Sequence, residues 1–392
     1  MNFLFYAPQM AAYGGMERHI CSLAAACCAA GHTVELITTS NSLGAELRAS
    51  MQHPRLTLRE LPVARGRASG ARKAWWLLRQ TLAARVRHWD VIYTNGQSGL
   101  ARLVWLAAGK RTRVVHHHHT AADEKEQATW SDGFRKVLKT APELVGCSRA
   151  TQQQLARALS RSNVHFLPYL TAAPAAGGWI PEQRPKPAHE RLHFGFLGRL
   201  VVEKGIDRIC ALSQRPELAD ISWHIHGAGA DYPPKFFASY RNVLYHGAFS
   251  AGPQLQRILQ DLDATVLFST HNEGMPLSLI EAMSAGLPWI ATDRGGTREL
   301  ALSPANCQVI PPNGTLESDA AAVRSLADRI RSGTTSRAEQ YFAYAAHFSP
   351  QTVSAVWSTF FETPGALSPG QGGGDSKVPA LTPAACTASK SN

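Results

Sequence analysis

The chain has 392 residues, 44% of them hydrophobic, and a formal net charge of +11. That length exceeds one core and suits two α/β domains plus a tail, and no run reaches the ~20 consecutive apolar residues of a membrane span. The basic balance fits nucleic acid, a membrane surface or a polyanionic substrate, but no helix-turn-helix, zinc-finger or RNP signature accompanies it, so no nucleic-acid partner is expected.

Seven scattered cysteines, none in a C-x-x-C spacing, argue against a disulfide framework or a cysteine zinc site. The N-terminus lacks a charged n-region and a cleavage site, so a cytoplasmic location is the expectation. The first strand is Phe3-Leu4-Phe5-Tyr6, and a helix runs from the Gly14-Gly15 turn to Ala30. Glycines between a first strand and a first helix let backbone approach a ligand closely, though a plain tight turn explains them equally well. His32 to Thr39 is the second strand.

Residues 65–89 are basic and aromatic, with Arg65, Arg67, Arg72, Lys73, Arg79, Arg85 and Arg87 among Trp75, Trp76 and Trp89. Trp75, Leu78, Leu82, Val86 and Trp89 recur at helical spacing and predict one apolar stripe. Such a helix either faces the core with a cationic outer side, or rests on an anionic bilayer.

A strand from Asp90 to Tyr93 ends in Thr94-Asn95-Gly96, and another from Arg113 runs into His116-His117-His118-His119-Thr120. Successive strand side chains point to opposite faces, so the four histidines cannot converge on one ion, and no metal site is expected there. Leu144 to Ser148 is a strand end, with Ser148 capping a helix from Arg149 to Leu159. Asn163 to Pro168 closes the first sheet, which bounds a first domain at 1–175. Thr171 to His189, rich in Pro, Gly and Ala, reads as linker, placed at 176–190.

The second domain, 191–348, opens with a strand that ends at Gly198. Its loop carries Arg199 and Lys204 before Gly205 starts a helix, and two cations five apart at a strand's carboxyl end can clamp a diphosphate from two sides. Trp223 to Gly229 is a strand and small-residue turn whose histidines read as strand residues, and Tyr245-His246-Gly247 is the next strand end. After helices at 318–331 and 338–346, a last helix spans 349–362. From 363 to 392 the composition offers little to bury and predicts disorder.

Leu262 to Leu300 carries the densest signal. The apolar strand Ala264 to Phe268 is followed by a polar loop, then by a helix from Pro276 to Ala285 with Gly286 as its left-handed stop. A second strand, Trp289 to Thr292, leads into Gly295-Gly296 and a further helix. Both loops lie where doubly wound sheets bind ligands. The amides of Gly274, Met275 and Leu277, with Pro276 at the first helical position, form a helix N-terminus that favours a phosphate. Glu281 lies about 8 Å from that end at about 1.5 Å rise per residue, the reach from a diphosphate to a ribose. Glu273 lies on the other side, where a sugar would sit.

The run Glu-Gly-x-Pro-Leu…Glu-Ala-Met…Gly-x-Pro from Glu273 to Pro288 resembles the retaining glycosyltransferases of the GT-B fold, family four. Gly198 to Gly205 is similar to that family's phosphate-clamp string, and Gly14, Gly15 and Glu17 to its N-terminal Gly-Gly-x-Glu turn. The resemblance implies two Rossmann-like, doubly wound parallel-sheet domains facing across a cleft, with the last helix packing back on the first. It implies transfer of a sugar from a UDP- or GDP-linked donor to a saccharide or lipid-linked acceptor, in polysaccharide or glycoconjugate synthesis, with retained anomeric configuration.

On this resemblance Arg199, Lys204, Glu273 and His119 are the catalytic candidates, with His118 second to His119. Donor binding falls to Gly14, Gly15, Arg199, Lys204, Gly227, Gly229, Gly247, Gly274, Met275, Pro276, Leu277 and Glu281, and to Glu17 only as a structural partner. Asp261-Leu262-Asp263 mimics the metal motif of the other glycosyltransferase fold but lies at the amino end of its strand, so neither metal nor cofactor is expected. Related enzymes act on lipid-linked acceptors, which keeps a peripheral membrane contact through 65–89 open. A GT-B protein of other chemistry, such as an epimerase, or a non-catalytic nucleotide-sugar binder is the alternative.

Overall fold

The computed structural model describes residues 1–10, 14–39, 43–62, 69–171, 186–187 and 189–363. The linker placed at 176–190 falls almost wholly outside the described residues, as do the tail from 364 onward and Arg65 and Arg67.

Two parallel sheets organise the chain. The first holds β1 (Asn2–Ala7), β2 (Thr33–Thr38), β3 (Leu56–Glu60), β4 (Val91–Asn95), β5 (Arg113–His118), β6 (Glu143–Gly146) and β7 (Val164–Phe166), in the order β3-β2-β1-β4-β5-β6-β7. The second holds β8 (Leu192–Leu197), β9 (Ile221–His226), β10 (Val243–Gly247), β11 (Ala264–Leu267), β12 (Trp289–Thr292) and β13 (Cys307–Ile310), in the order β10-β9-β8-β11-β12-β13. In both sheets the chain works outward from its first strand and then doubles back to that strand's other side. The switch points therefore fall between β1 and β4 and between β8 and β11, and open crevices form at their carboxyl ends.

The strand sequences explain the layering. Phe3, Leu4, Phe5, Tyr6 and Ala7 are all fully buried, as a strand covered on both faces requires. Phe3 and Phe5 join one apolar cluster while Leu4 and Tyr6 join the cluster on the opposite face, the period of two that a pleated strand imposes. In the second domain Phe194, Trp223, Trp289 and the helix Leu316–Arg331 build one large core.

The final helix, Pro350–Glu362, returns to the first domain, where Val353, Trp357, Phe360 and Phe361 share a cluster with Phe3, Phe5, Leu23 and Cys27. Trp357 Nε1 donates to the Pro168 carbonyl at 2.9 Å. The Arg113 guanidinium donates to the Phe360 and Phe361 carbonyls at 2.6 and 2.8 Å, which satisfies carbonyls that a helix end leaves open.

Two sequence expectations change. The glycine turn after β12 opens a short 3-10 helix, Gly296–Leu300, rather than an α-helix. The helix within 65–89 spans Gly70–Ala84 and buries Leu77, Thr81 and Ala84, so the five-residue stripe is not its core face. Trp89 lies beyond the helix in the core, whereas Trp75 is 61% and Val86 88% exposed.

Trp357→Ala removes a fully buried indole and should cost about 3–5 kcal/mol. Thermal unfolding should show this as a lowered midpoint for the first domain; an unchanged midpoint would contradict the packing described.

Candidate active site

The second sheet's switch point places Lys204 beside Glu273. The loop after β8 ends in a 3-10 turn, Val202–Lys204, stopped by Gly205 at φ +70°. A Cβ there would run into the Phe268 carbonyl, so close passage of this loop against the end of β11 requires glycine. The Thr270 amide donates to the Glu203 carbonyl at 2.9 Å, tying the two loops together.

Lys204 Nζ thereby lies 2.6 Å from Glu273 Oε1, and Ser269 Oγ donates to the same oxygen at 2.5 Å. Burial by itself raises the Glu273 carboxyl. Lys204, then His271 and Ser269, outweigh it and hold the group below the usual carboxylate range. Glu273 is therefore an anchored anion with an oxygen edge available to hydroxyls. Arg199 stands exposed on the same loop, and its positive field reaches Glu17 of the first domain.

The helix Leu277–Ser284 begins just past Glu273, with Pro276 as its N-cap rather than its first residue and Gly286 at φ +70° beyond its end. The Leu277 and Ser278 amides precede any carbonyl the helix can offer, so they point out of its N-terminus. The Met275 side chain belongs to the second domain's core, and only its backbone faces this loop system.

The first domain meets this helix with another helix N-terminus. Gly14 caps, and Gly15 begins, the helix Gly15–Ala29. A Cβ on Gly15 would lie 2.9 Å from Leu277 Cδ1. One turn on, Arg18 forms an ion pair with Glu281 through Oε1. Glu17 is buried, and burial pushes its carboxyl up despite Arg199 and its own backbone contacts. A Cβ on Gly274 would lie 2.8 Å from Cys147 Sγ and 2.9 Å from the His119 carbonyl.

Two further bridges hold the lobes in register. Asn272 Nδ2 donates to Asp123 Oδ2 at 2.6 Å. The Glu299 carboxylate accepts from the Arg149 and Ala150 amides at 2.9 and 2.7 Å, capping the N-terminus of helix Arg149–Leu159 from the other domain.

The histidine tract divides by strand face. His117 and His119 share one side with ring centroids 4.0 Å apart, and His119 stacks on Tyr169. Among the described residues neither ring nitrogen of His119 has a hydrogen-bond partner, and burial keeps its imidazole neutral. His116 and His118 turn to the opposite face against Phe134. There His118 Nε2 lies 3.0 Å from Glu126 Oε1, so the second choice from the sequence is committed to a local contact on the opposite face. Against burial, His118 and Thr120 pull the Glu126 carboxyl down to about 2.

The small-residue turns pack against the loop after β8. A Cβ on Gly227 would run into the Gly198 carbonyl and one on Gly229 into the Leu200 carbonyl, and the Gly227 amide donates to the Gly247 carbonyl at 2.7 Å. Sequence reasoning missed Arg18, Asn272 and Glu299 as interlobe residues. The Gly-Gly turn pointed to the helix that carries Arg18, but nothing local links that arginine to Glu281.

Two stacked Rossmann-like sheets whose switch-point loops meet across one cleft define the GT-B architecture. The first domain matches the glycosyl transferase 4-like domain over residues 14–169, and the second the glycosyl transferases group 1 family over residues 191–329. Each domain thus matches a glycosyl transferase family model, and the chain has the GT-B fold. A sequence relative, the GtfA subunit of the UDP-N-acetylglucosamine–peptide N-acetylglucosaminyltransferase of Streptococcus parasanguinis, is 24% identical over 70% of this chain and 56% of that protein. A GDP-mannose-dependent alpha-mannosyltransferase of Mycobacterium tuberculosis is 28% identical over 49% of each chain. The chain thus spans about half the length of the curated relatives it matches.

Among solved structures, an Anabaena protein in complex with UDP and glucose superposes with a TM-score of 0.69 at 16% identity, over 91% of this chain and 98% of that one. Sucrose-phosphate synthase from Thermosynechococcus elongatus gives 0.73 at 16% identity, over 92% and 98%. These likenesses carry the fold.

Burial holds His19 and His116 down to about 3, whereas in an unfolded chain histidine titrates at about 6.5. Between those values the unfolded state binds more protons, so stability is full above about pH 6.5 and falls as pH drops through the window. Denaturant titrations at pH 7 and pH 5 should show this loss, and His116→Gln should shrink the difference. An equal difference in the variant would contradict the assignment.

Proposed function

We propose that the protein transfers a hexosyl group from a UDP- or GDP-linked sugar to a saccharide or lipid-linked acceptor, with retention of anomeric configuration, in polysaccharide or glycoconjugate synthesis. The observation that carries this reading is the Lys204–Glu273 pair, set beside the Leu277–Ser284 helix N-terminus and facing the Gly14-Gly15 turn. A nucleoside diphosphate sugar has complementary chemistry, since its pyrophosphate wants cations and amides and its sugar hydroxyls want a carboxylate.

In this mechanism Arg199 and Lys204 take up the negative charge that grows on the leaving diphosphate as the anomeric C–O bond breaks. The Leu277 and Ser278 amides hold a phosphate, Gly14 and Gly15 let first-domain backbone approach it, and Glu281 takes the ribose hydroxyls, sharing its carboxylate with Arg18. The Gly227, Gly229 and Gly247 turns flank the base, and Gly274, Met275 and Pro276 border the sugar through backbone. Glu273, already engaged by Lys204 and Ser269, suits sugar positioning rather than nucleophilic attack. The acceptor hydroxyl then attacks from the face the diphosphate leaves, and its proton passes to a departing phosphate oxygen. His119, neutral and with both ring nitrogens unpaired among the described residues, serves as a hydrogen-bond partner for the sugar. No metal or cofactor has a part in this scheme.

Release of free UDP or GDP from a panel of donor sugars tests the reading. Arg199→Ala and Lys204→Ala should each lower turnover about a hundredfold or more, and near-normal turnover in both would refute the clamp.

We further propose that the first domain docks on an anionic membrane surface on the cytoplasmic side. No helix among the described residues is long and apolar enough to cross a membrane. The outer face of helix Gly70–Ala84 and the turn after it expose Trp75, Leu82 and Val86, and the Arg79 guanidinium lies 4.9 Å from the Trp75 ring. Exposed apolar groups among cations fit an anionic bilayer. The protein should sediment with anionic vesicles at low salt, and Trp75→Ser combined with Val86→Ser should weaken this several-fold. A protein that stays in the supernatant would end the docking proposal without touching the transfer chemistry.

A further inference from the structure

The open edge of the second sheet gathers four imidazoles on one face, outside the cleft just described. His193 comes from β8, His224 and His226 from β9, and His246 from β10. Alternation puts His224 and His226 on the same side. The β9–β10 register shifts between Tyr245 and Gly247, and the residue left out of register is His246. An irregularity of this kind re-aims a side chain, and here it swings the His246 ring onto the β9 pair. Ring centroids of His226 and His246 are 4.3 Å apart, and those of His224 and His246 are 5.1 Å apart.

We propose that His224, His226 and His246 form a binding site for one borderline transition-metal ion of the zinc class, with His193 as the supporting group behind His224.

The geometry supports this in three ways. One ring nitrogen from each of the three lies within 4.8 Å of the others. His224 Nδ1 and His246 Nε2 are already 3.0 Å apart, close to the ~3.3 Å that separates two ligands on a tetrahedral ion with bonds of about 2.0–2.1 Å. The three ring planes lie within 8° of parallel, so a bound ion turns the rings until their in-plane lone pairs converge on it. Second, the other nitrogen of His224 is spoken for, since Nε2 lies 2.8 Å from His193 Nδ1. Ligating histidines characteristically have the far nitrogen fixed by such a partner, which sets tautomer and ring orientation. Third, the rings present lone pairs near neutral pH, because burial holds His224 and His226 at about 4 and lowers His246.

The ligand set selects the ion. It contains only imidazole nitrogens, and no carboxylate joins it among the described residues. Zinc, copper and nickel suit imidazole, whereas magnesium and manganese prefer carboxylate and water oxygens. His246 is exposed and His224 half-buried, so an ion can arrive from solvent and keep a fourth position for water.

The site stands independently of the glycosyl-transfer reading, yet it adjoins the same loops. His226 precedes Gly227 and His246 precedes Gly247, and the Gly227 amide bonds the Gly247 carbonyl. An ion at the three rings would pin the ends of β9 and β10 together and stiffen the turn that packs on Gly198.

The test uses tag-free full-length protein stripped with a chelator, then titrated with zinc against a colorimetric zinc indicator. One equivalent should bind with a dissociation constant at or below the micromolar range. Cobalt(II) in the same site should give the intense visible absorption of four-coordinate cobalt, and magnesium should not compete. His226→Asn and His246→Asn should each weaken zinc by a hundredfold or more, and His193→Phe by about tenfold. Because His246 is exposed, His246→Asn should keep the metal-free unfolding midpoint and lose only the rise that zinc gives the wild type. Absence of a stoichiometric zinc site in the wild type, or zinc binding and stabilisation that persist unchanged in His246→Asn, would overturn the proposal.

Discussion

The ion pair between Lys204 and Glu273 is the contact on which the rest of the site depends. Both groups are largely withdrawn from water, and a buried charge persists only when its partner is held in place. That requirement explains the glycine at position 205, which no side chain can replace without striking the Phe268 carbonyl. It also explains the strand order, because β8 and β11 are neighbours only in a sheet that reverses direction after its third strand. Pair, glycine and topology are one constraint seen at three scales.

The second lobe cannot use this pair alone. In the proposed reaction a helix N-terminus and two cations hold the diphosphate, and water would compete for them if the first domain were elsewhere. Arg18 on Glu281, the Glu299 carboxylate on the Arg149–Leu159 helix, and Asn272 on Asp123 close the first domain over it. Gly15 against Leu277 and Gly274 against the His119 carbonyl show how near the two backbones come. Asn272 lies in the loop after β11 and Glu299 in the short helix after β12, while Arg18 and Glu281 meet helix to helix. A low-dielectric, water-poor cleft strengthens every charge within it.

Much of this was legible in the sequence, for physical reasons. Strands such as Phe3–Ala7 announce burial on both faces because every residue is apolar, and glycines at 205, 286 and 295 mark positive-φ backbone that other residues rarely adopt. The spacing from Glu273 to Glu281 fixed both on one helix and its preceding loop. What stayed hidden needs two distant segments at once. Nothing near Arg18 names Glu281 as its partner, and nothing in Trp223–Gly229 signals that a register shift in β10 would bring His246 alongside. The stripe from Trp75 to Val86 left core and bilayer both open as its destination, since periodicity gives a face without saying what covers it, and Trp75, Leu82 and Val86 turn away from the core. His118 and His119 are neighbours in one tract, and the strand's phase sends one to Glu126 and the other to Tyr169.

The most direct test of the central claim is a crystal structure of the protein with bound UDP or GDP. The pyrophosphate should lie between the Arg199 and Lys204 side chains and the Leu277 and Ser278 amides, with the ribose hydroxyls on Glu281. A nucleotide seated elsewhere, with the Lys204–Glu273 pair intact and no phosphate oxygen within hydrogen-bond reach of either cation, would contradict it.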